Sequence, residues 1–131
     1  MIKFGYAIAY VENVDAELTF FEKSFGLERR FVDPSGDYGE LDTGETVLAF
    51  ANHELGKSNF PAGYAKGSPD NPMGVEIAMV TDDVATAHQS ALDNGGSELR
   101  GPVEKPWGQT VSYIASPSGV LLEICTPVSM E

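Results

Sequence analysis

Two glutamates stand inside otherwise apolar, strand-like segments of this 131-residue chain: Glu76, between Val75 and Ile77, and Glu123, between Leu122 and Ile124. Side chains alternate between the two faces of a strand. Glu76, Ala78 and Val80 therefore share one face, opposite Ile77 and Met79. In the same way Leu121, Glu123 and Cys125 lie opposite Leu122 and Ile124. The apolar faces are the ones suited to pack on helices, so both carboxylates point inward, away from the helices. A carboxylate taken out of water must be paired, protonated or bound to a cation. A pair of them could serve as general acid and base if burial raises one pKa. The plainer alternative places each acid on a wet rim.

Aromatic residues accompany the acids. Tyr6, Ile8 and Tyr10 share the inward face of the first strand, either as core or as a stacking surface for a flat molecule. Trp107, between Pro106 and Gly108, sits at a strand entrance and either closes the core or lines a mouth. His53 follows the fourth strand and is expected in solvent. His88 falls in the second helix and is expected on its surface. Cys125 has no nearby base to make it a nucleophile and reads as a small apolar residue. There is no phosphate loop, Ser-His-Asp set or nucleotide fingerprint.

The elements that must position these residues come in two copies. At a slide of 70, Tyr6–Val14 falls on Glu76–Val84 and Gly26 on Gly96; at a slide of 74, Thr46–Phe50 falls on Val120–Ile124. The half-length period predicts two copies of one unit in a single domain, 1–131. Strand Phe4–Val11 leads to a helix capped by Asn13 or Asp15, marked by Leu18, Phe21 and Phe25 and ended by Gly26. Strands follow at Glu28–Asp33, Tyr38–Asp42 and Thr46–Asn52. The second unit has strand Gly74–Val80, a helix capped by Asp82 or Asp83, and strands Glu98–Val103, Gln109–Ala115 and Val120–Thr126. The order predicts an α+β protein of two β-α-β-β-β modules, about 1–52 and 74–128. The segment 53–73, rich in Gly and Pro and without periodicity, reads as a loop: a connector, a ligand cover holding Phe60 and Tyr64, or both.

Acids outnumber bases 20 to 8, a net charge of −12, which argues against nucleic acid or an anionic membrane as partner. No apolar run approaches the ~20 residues of a bilayer span. One cysteine and the lack of a signal-peptide pattern favour the cytoplasm.

The order and motifs together resemble the vicinal oxygen chelate superfamily, which includes glyoxalase I, extradiol dioxygenases and the bleomycin and fosfomycin resistance proteins. The resemblance rests on Phe20-Phe21-Glu22-Lys23-Ser24-Phe25-Gly26-Leu27, on Val80-Thr81-Asp82-Asp83-Val84-Ala85, on Pro106-Trp107-Gly108-Gln109, and on Ser116-Pro117-Ser118-Gly119 leading into Val120–Ile124. It implies a cupped sheet made of two half-barrels with a central cavity for the ligand, and commonly a homodimer. The four positions it assigns to metal ligands are Tyr6, Ala49, Glu76 and Glu123. Ala49 has no donor atom and a phenol keeps its proton at neutral pH, so no tightly bound metal and no cofactor are expected.

Three functions remain on this reading. The first is a metal-free module binding a small organic molecule, with Tyr6, Tyr10, Ala49, Trp107 and Phe60 lining the cavity beside Glu76 and Glu123. The second is a lyase, isomerase or dioxygenase in which Glu76 and Glu123 are catalytic and a third donor, such as His53, completes a divalent-metal site. The third is a structural or regulatory dimer without a small ligand.

Overall fold

In the computed structural model, which describes residues 1–128, the first module runs β1 (Tyr6–Val11), α1 (Val14–Phe25), β2 (Arg29–Val32), β3 (Tyr38–Leu41) and β4 (Val47–Asn52). The second runs β5 (Glu76–Val80), α3 (Val84–Asp93), β6 (Ser97–Glu104), β7 (Thr110–Ala115) and β8 (Leu121–Cys125), with α2 (His53–Asn59) between the modules. Residues 129–131 of the expected single domain lie outside the described residues. Each module folds into its own four-stranded mixed sheet, in the orders β1-β4-β3-β2 and β5-β8-β7-β6. In both, the first strand pairs in parallel with the last, across the crossover helix. The architecture is the expected α+β pair of β-α-β-β-β modules.

Local chemistry accounts for the elements. The side chain of Asn13 accepts from the Ala16 amide at 2.9 Å and starts α1; losing such a cap costs about 1 kcal/mol. Asp83 does the same for α3 through Thr86. On α1, Val14, Glu17, Leu18 and Phe21 recur at helical spacing and are all buried. One core runs through both modules: Val11, Leu18, Phe20, Phe21, Leu41 and Phe50 join Val84, Ala91, Ile114, Leu122 and Ile124. The helices α1 and α3 pack on each other, and this contact holds the modules together. β1 and β5 are edge strands of their sheets, and the two sheets do not merge into one.

The segment 53–73 is not wholly a loop, because its first seven residues form α2. Asn52 caps it by accepting from the Leu55 amide at 2.9 Å. Less than two turns of helix is too short to show a period, which is why the sequence pattern reads as irregular. Gly56 is needed in it, because a Cβ there would overlap Tyr64 and press on Tyr10. The rest of the segment is extended and turned, with one bridge between Ser68 and Asn71. Among the described residues, no helix is long and apolar enough to cross a membrane.

Candidate functional site

Inward and outward faces fall where alternation puts them. Ala7 and Ala9 of β1 pack toward the core, while Tyr6 and Ile8 point away from it and are about half exposed, at 56% and 46%. On β5 and β8, Ile77, Met79, Leu122 and Ile124 pack on the core side, leaving Glu76 and Glu123 on the opposite face.

The seam between the modules contains a cavity of about 310 Å³. Ile8 and Tyr10 of β1, Ile77 of β5 and Leu121 of β8 form its walls, and Phe60, Tyr64 and Met73 of the connecting segment cover it. The cover is built from aromatic contacts. Tyr64 stacks on Tyr10 with ring centroids 4.9 Å apart, and its hydroxyl lies 2.8 Å from Nδ1 of His53. Burial, assisted by Lys66 and opposed by Glu12, holds His53 below its ordinary pKa, so the ring favours the neutral form that can accept from Tyr64. The expected solvent position of His53 is therefore corrected: its side chain is 12% exposed and forms part of the cover. Among the described residues no charged side chain lines the cavity.

The acids form a second place, on the inward face of the second sheet. Glu123 pairs in register with Ala78 on β5 and Tyr113 on β7, and the Tyr113 hydroxyl donates to it at 3.1 Å. Burial and then the nearby Glu123 push the Glu76 carboxyl above its ordinary range. The Cys125 thiol is pushed up to about 11 by burial, with Glu123 adding to the effect, which makes it inert as a nucleophile at neutral pH. Neither glutamate lines the seam cavity, although Val75 and Ile77 on either side of Glu76 do.

The first sheet carries the third place. Ala49 is fully buried and pairs with Ile8 and Glu40. The Tyr38 hydroxyl donates to Glu40 at 2.7 Å and Arg30 lies 3.6 Å from it. Glu40 is a functional candidate that strand alternation could have shown, since it lies opposite the buried Gly39 and Leu41 on β3. Thus Tyr10 and Phe60 meet at the seam, Tyr6 and Ala49 share the first sheet, and Glu76 and Glu123 share the second. Trp107 stands apart at the β6–β7 turn, 63% exposed, with its indole donating to Gln109.

Two buried polar groups also escaped the sequence reading. His88 lies on the buried face of α3, not its surface: it is 4% exposed, with Nδ1 2.8 Å from the Ser112 hydroxyl and Nε2 2.8 Å from Glu98. Ser112 is itself fully buried, so this Ser-His-Glu chain offers no nucleophile to a substrate. Glu17 of α1 is fully buried against the β7–β8 turn. Both follow the helical phase, Glu17 with Val14, Leu18 and Phe21, and His88 with Val84 and Ala91.

Paired β-α-β-β-β modules with a ligand-sized seam and inward polar positions define a two-module cavity protein. The chain belongs to the Glyoxalase/Bleomycin resistance protein/Dioxygenase superfamily, whose sequence profile matches residues 3–124. Its structure is similar to that of a glyoxalase-related enzyme from Fulvimarina pelagi, with a TM-score of 0.85, 18% identity, and coverage of 97% of this chain and 89% of that one. It also resembles a glyoxalase/bleomycin resistance protein/dioxygenase family enzyme from Burkholderia phytofirmans PsJN, with a TM-score of 0.83, 18% identity, and coverage of 98% and 100%. A lactoylglutathione lyase from Agrobacterium tumefaciens gives a TM-score of 0.70 at 18% identity, with coverage of 95% and 92%. No curated protein matches the sequence.

The residues present do not fit the metal that the family implies. Of the four assigned positions, Glu76 and Glu123 offer carboxylates from one sheet, while the other sheet offers a phenol and a methyl group. Among the described residues no three His, Cys, Asp or Glu side chains come together in a way that could hold a metal ion. A catalytic transition-ion site ordinarily has about three protein ligands.

Proposed function

We propose that the chain binds a small, uncharged, largely apolar organic molecule in the seam cavity, without a tightly bound metal. The observation that carries this reading is the cavity itself, with aromatic side chains on wall and cover and no charged side chain among the described residues that line it. Its volume falls at the lower end of the ~300–1,000 Å³ common for small-molecule sites. Tyr10, Phe60 and Tyr64 supply flat apolar area, which favours an aromatic ligand. Neither Glu76 nor Glu123 lines the cavity, so its lining favours a neutral ligand. The name of the bleomycin resistance proteins is in keeping with a binding role. The experiment is a fluorescence titration with the neutral aromatic N-phenyl-1-naphthylamine. Ile8→Trp, which fills the cavity from a half-exposed position, should abolish saturable binding; equal binding by wild type and variant would defeat the reading.

The enzyme alternative draws on the Glu76–Glu123 pair, in which burial and then the neighbouring Glu123 raise the Glu76 pKa above its ordinary range. It lacks the third donor, since His53 is engaged with Tyr64 in the connecting segment and lies 3.9 Å from Glu12. We also propose a cytoplasmic homodimer. Tyr6, Ile8, Val75 and Val80 are exposed apolar side chains beside the unpaired edges of β1 and β5, and a second copy would cover them. Sedimentation at micromolar concentration giving the mass of one chain would refute the dimer.

A further inference from the structure

Glu17 lies outside the cavity yet is tied to its wall. It is fully buried on α1 of the first module, and both carboxylate oxygens reach across to the second. The Ser116 hydroxyl donates to Oε2 at 2.5 Å and the Ser118 amide to Oε1 at 3.3 Å. The Ser116 oxygen in turn accepts the Val120 amide at 2.9 Å. These contacts fix the turn 116–119, and Ser118, Gly119 and Val120 of that turn and its exit line the cavity.

The same turn supports the cover. Gly119 has φ +88, and a Cβ on it would overlap the backbone of Ser68; a Cβ on Gly67 would lie 2.9 Å from the Gly119 carbonyl oxygen. Backbone therefore rests on backbone. A continuous chain of contacts runs from α1 through Glu17, Ser116 and Gly119 to Gly67 and Ser68, where the bridge to Asn71 shapes the covering segment. Among the described residues no basic side chain bears on Glu17, and its polar partners are the Ser116 hydroxyl and the amide and side chain of Ser118. A buried carboxylate without a counter-ion is a costly way to fill an interface that an apolar residue could fill. Its geometry does what an apolar residue cannot, which is to hold one turn in one position.

We propose that Glu17 is the positioning residue of the seam cavity: through the 116–119 turn it sets the wall and the seat of the cover, and so the affinity for a ligand it never touches. This rests on the seam cavity being the binding site. Binding of N-phenyl-1-naphthylamine and amide hydrogen exchange at Val120, Ser68 and Asn71 should be measured together for wild type, Glu17→Ala and Glu17→Gln. Glu17→Ala should weaken the probe about tenfold, the scale of a lost hydrogen bond to a charged group, and should speed exchange at all three amides. Glu17→Gln keeps an acceptor for Ser118 and a donor toward Ser116, and should restore both readouts nearly to wild type. If Glu17→Ala does not fold, Ser116→Ala replaces it with the same expected direction. Unchanged probe affinity, or faster exchange at Val120 without change at Ser68 and Asn71, would overturn the proposal. If wild type fails to bind the probe, the binding reading falls, and the exchange data alone decide whether Glu17 positions the cover.

Discussion

Glu40 and Tyr113 are structural counterparts on the two sheets. Glu40 pairs with Ala49 on the last strand of the first module, and Tyr113 pairs with Glu123 on the last strand of the second. The modules thus place carboxylate and phenol differently: the carboxylate lies on the middle strand in one and on the last strand in the other. Glu40 is occupied by the Tyr38 hydroxyl and has Arg30 within 3.6 Å, so it is not free to act as a metal ligand for the family position left vacant at Ala49.

The metal content follows from this arrangement. Protein dialysed against chelator should retain well under one equivalent of zinc, iron, manganese or nickel by elemental analysis. Near-stoichiometric metal would contradict the donor count.

The Glu76 carboxyl should titrate under the influence of its burial and of the neighbouring Glu123. Glu76 should lose its proton above the ordinary glutamate range, as followed by carbon-13 NMR of its carboxyl. In Glu123→Gln the Glu76 value should move part of the way back, because burial is the larger cause and stays in place. An unmoved Glu76 would show that the two carboxylates do not interact.

Glu17 should leave a mark on the pH dependence of stability. Burial raises its folded pKa above the ordinary glutamate value, so the folded state holds that proton more tightly than the unfolded state. The stability it contributes is full below about 4.5 and is lost as pH rises through the raised folded value. Urea unfolding across this window should show wild type losing stability relative to Glu17→Gln with rising pH. Parallel curves would contradict the shift.

His88→Leu should cost about 1–3 kcal/mol by chemical denaturation, because it strands the fully buried Ser112 hydroxyl. Adding Ser112→Ala should recover part of the loss. An additive double variant would mean that the two side chains act independently.

The fold was legible because both modules carry the same order of strong signals. Asn13 and Asp83 cap where short oxygen-bearing residues should, and the strands end within a few residues of where alternation stops. The short helix α2 was hidden by its length and by Gly56. His88 was expected on the helix surface from its residue type and Glu17 was not singled out, although the helical phase of Val84 and Ala91, and of Val14, Leu18 and Phe21, places both inside. The site was legible only by face. Alternation shows that Tyr6, Tyr10, Glu76 and Glu123 all point away from the helices, but it is silent on how the two sheets sit relative to each other. That relation comes from the α1–α3 packing, and it leaves neither acid among the residues that line the aromatic seam.

The central claim is that a neutral aromatic molecule occupies the seam between the modules. Methyl and amide NMR spectra recorded while N-phenyl-1-naphthylamine is added, with chelator present, test it most directly. The account predicts saturable shifts centred on the methyls of Ile8, Leu48, Ile77 and Leu121, all of which line the cavity. Shifts centred instead on Glu76, Glu123 and Cys125, or no saturable shift at all, would contradict it.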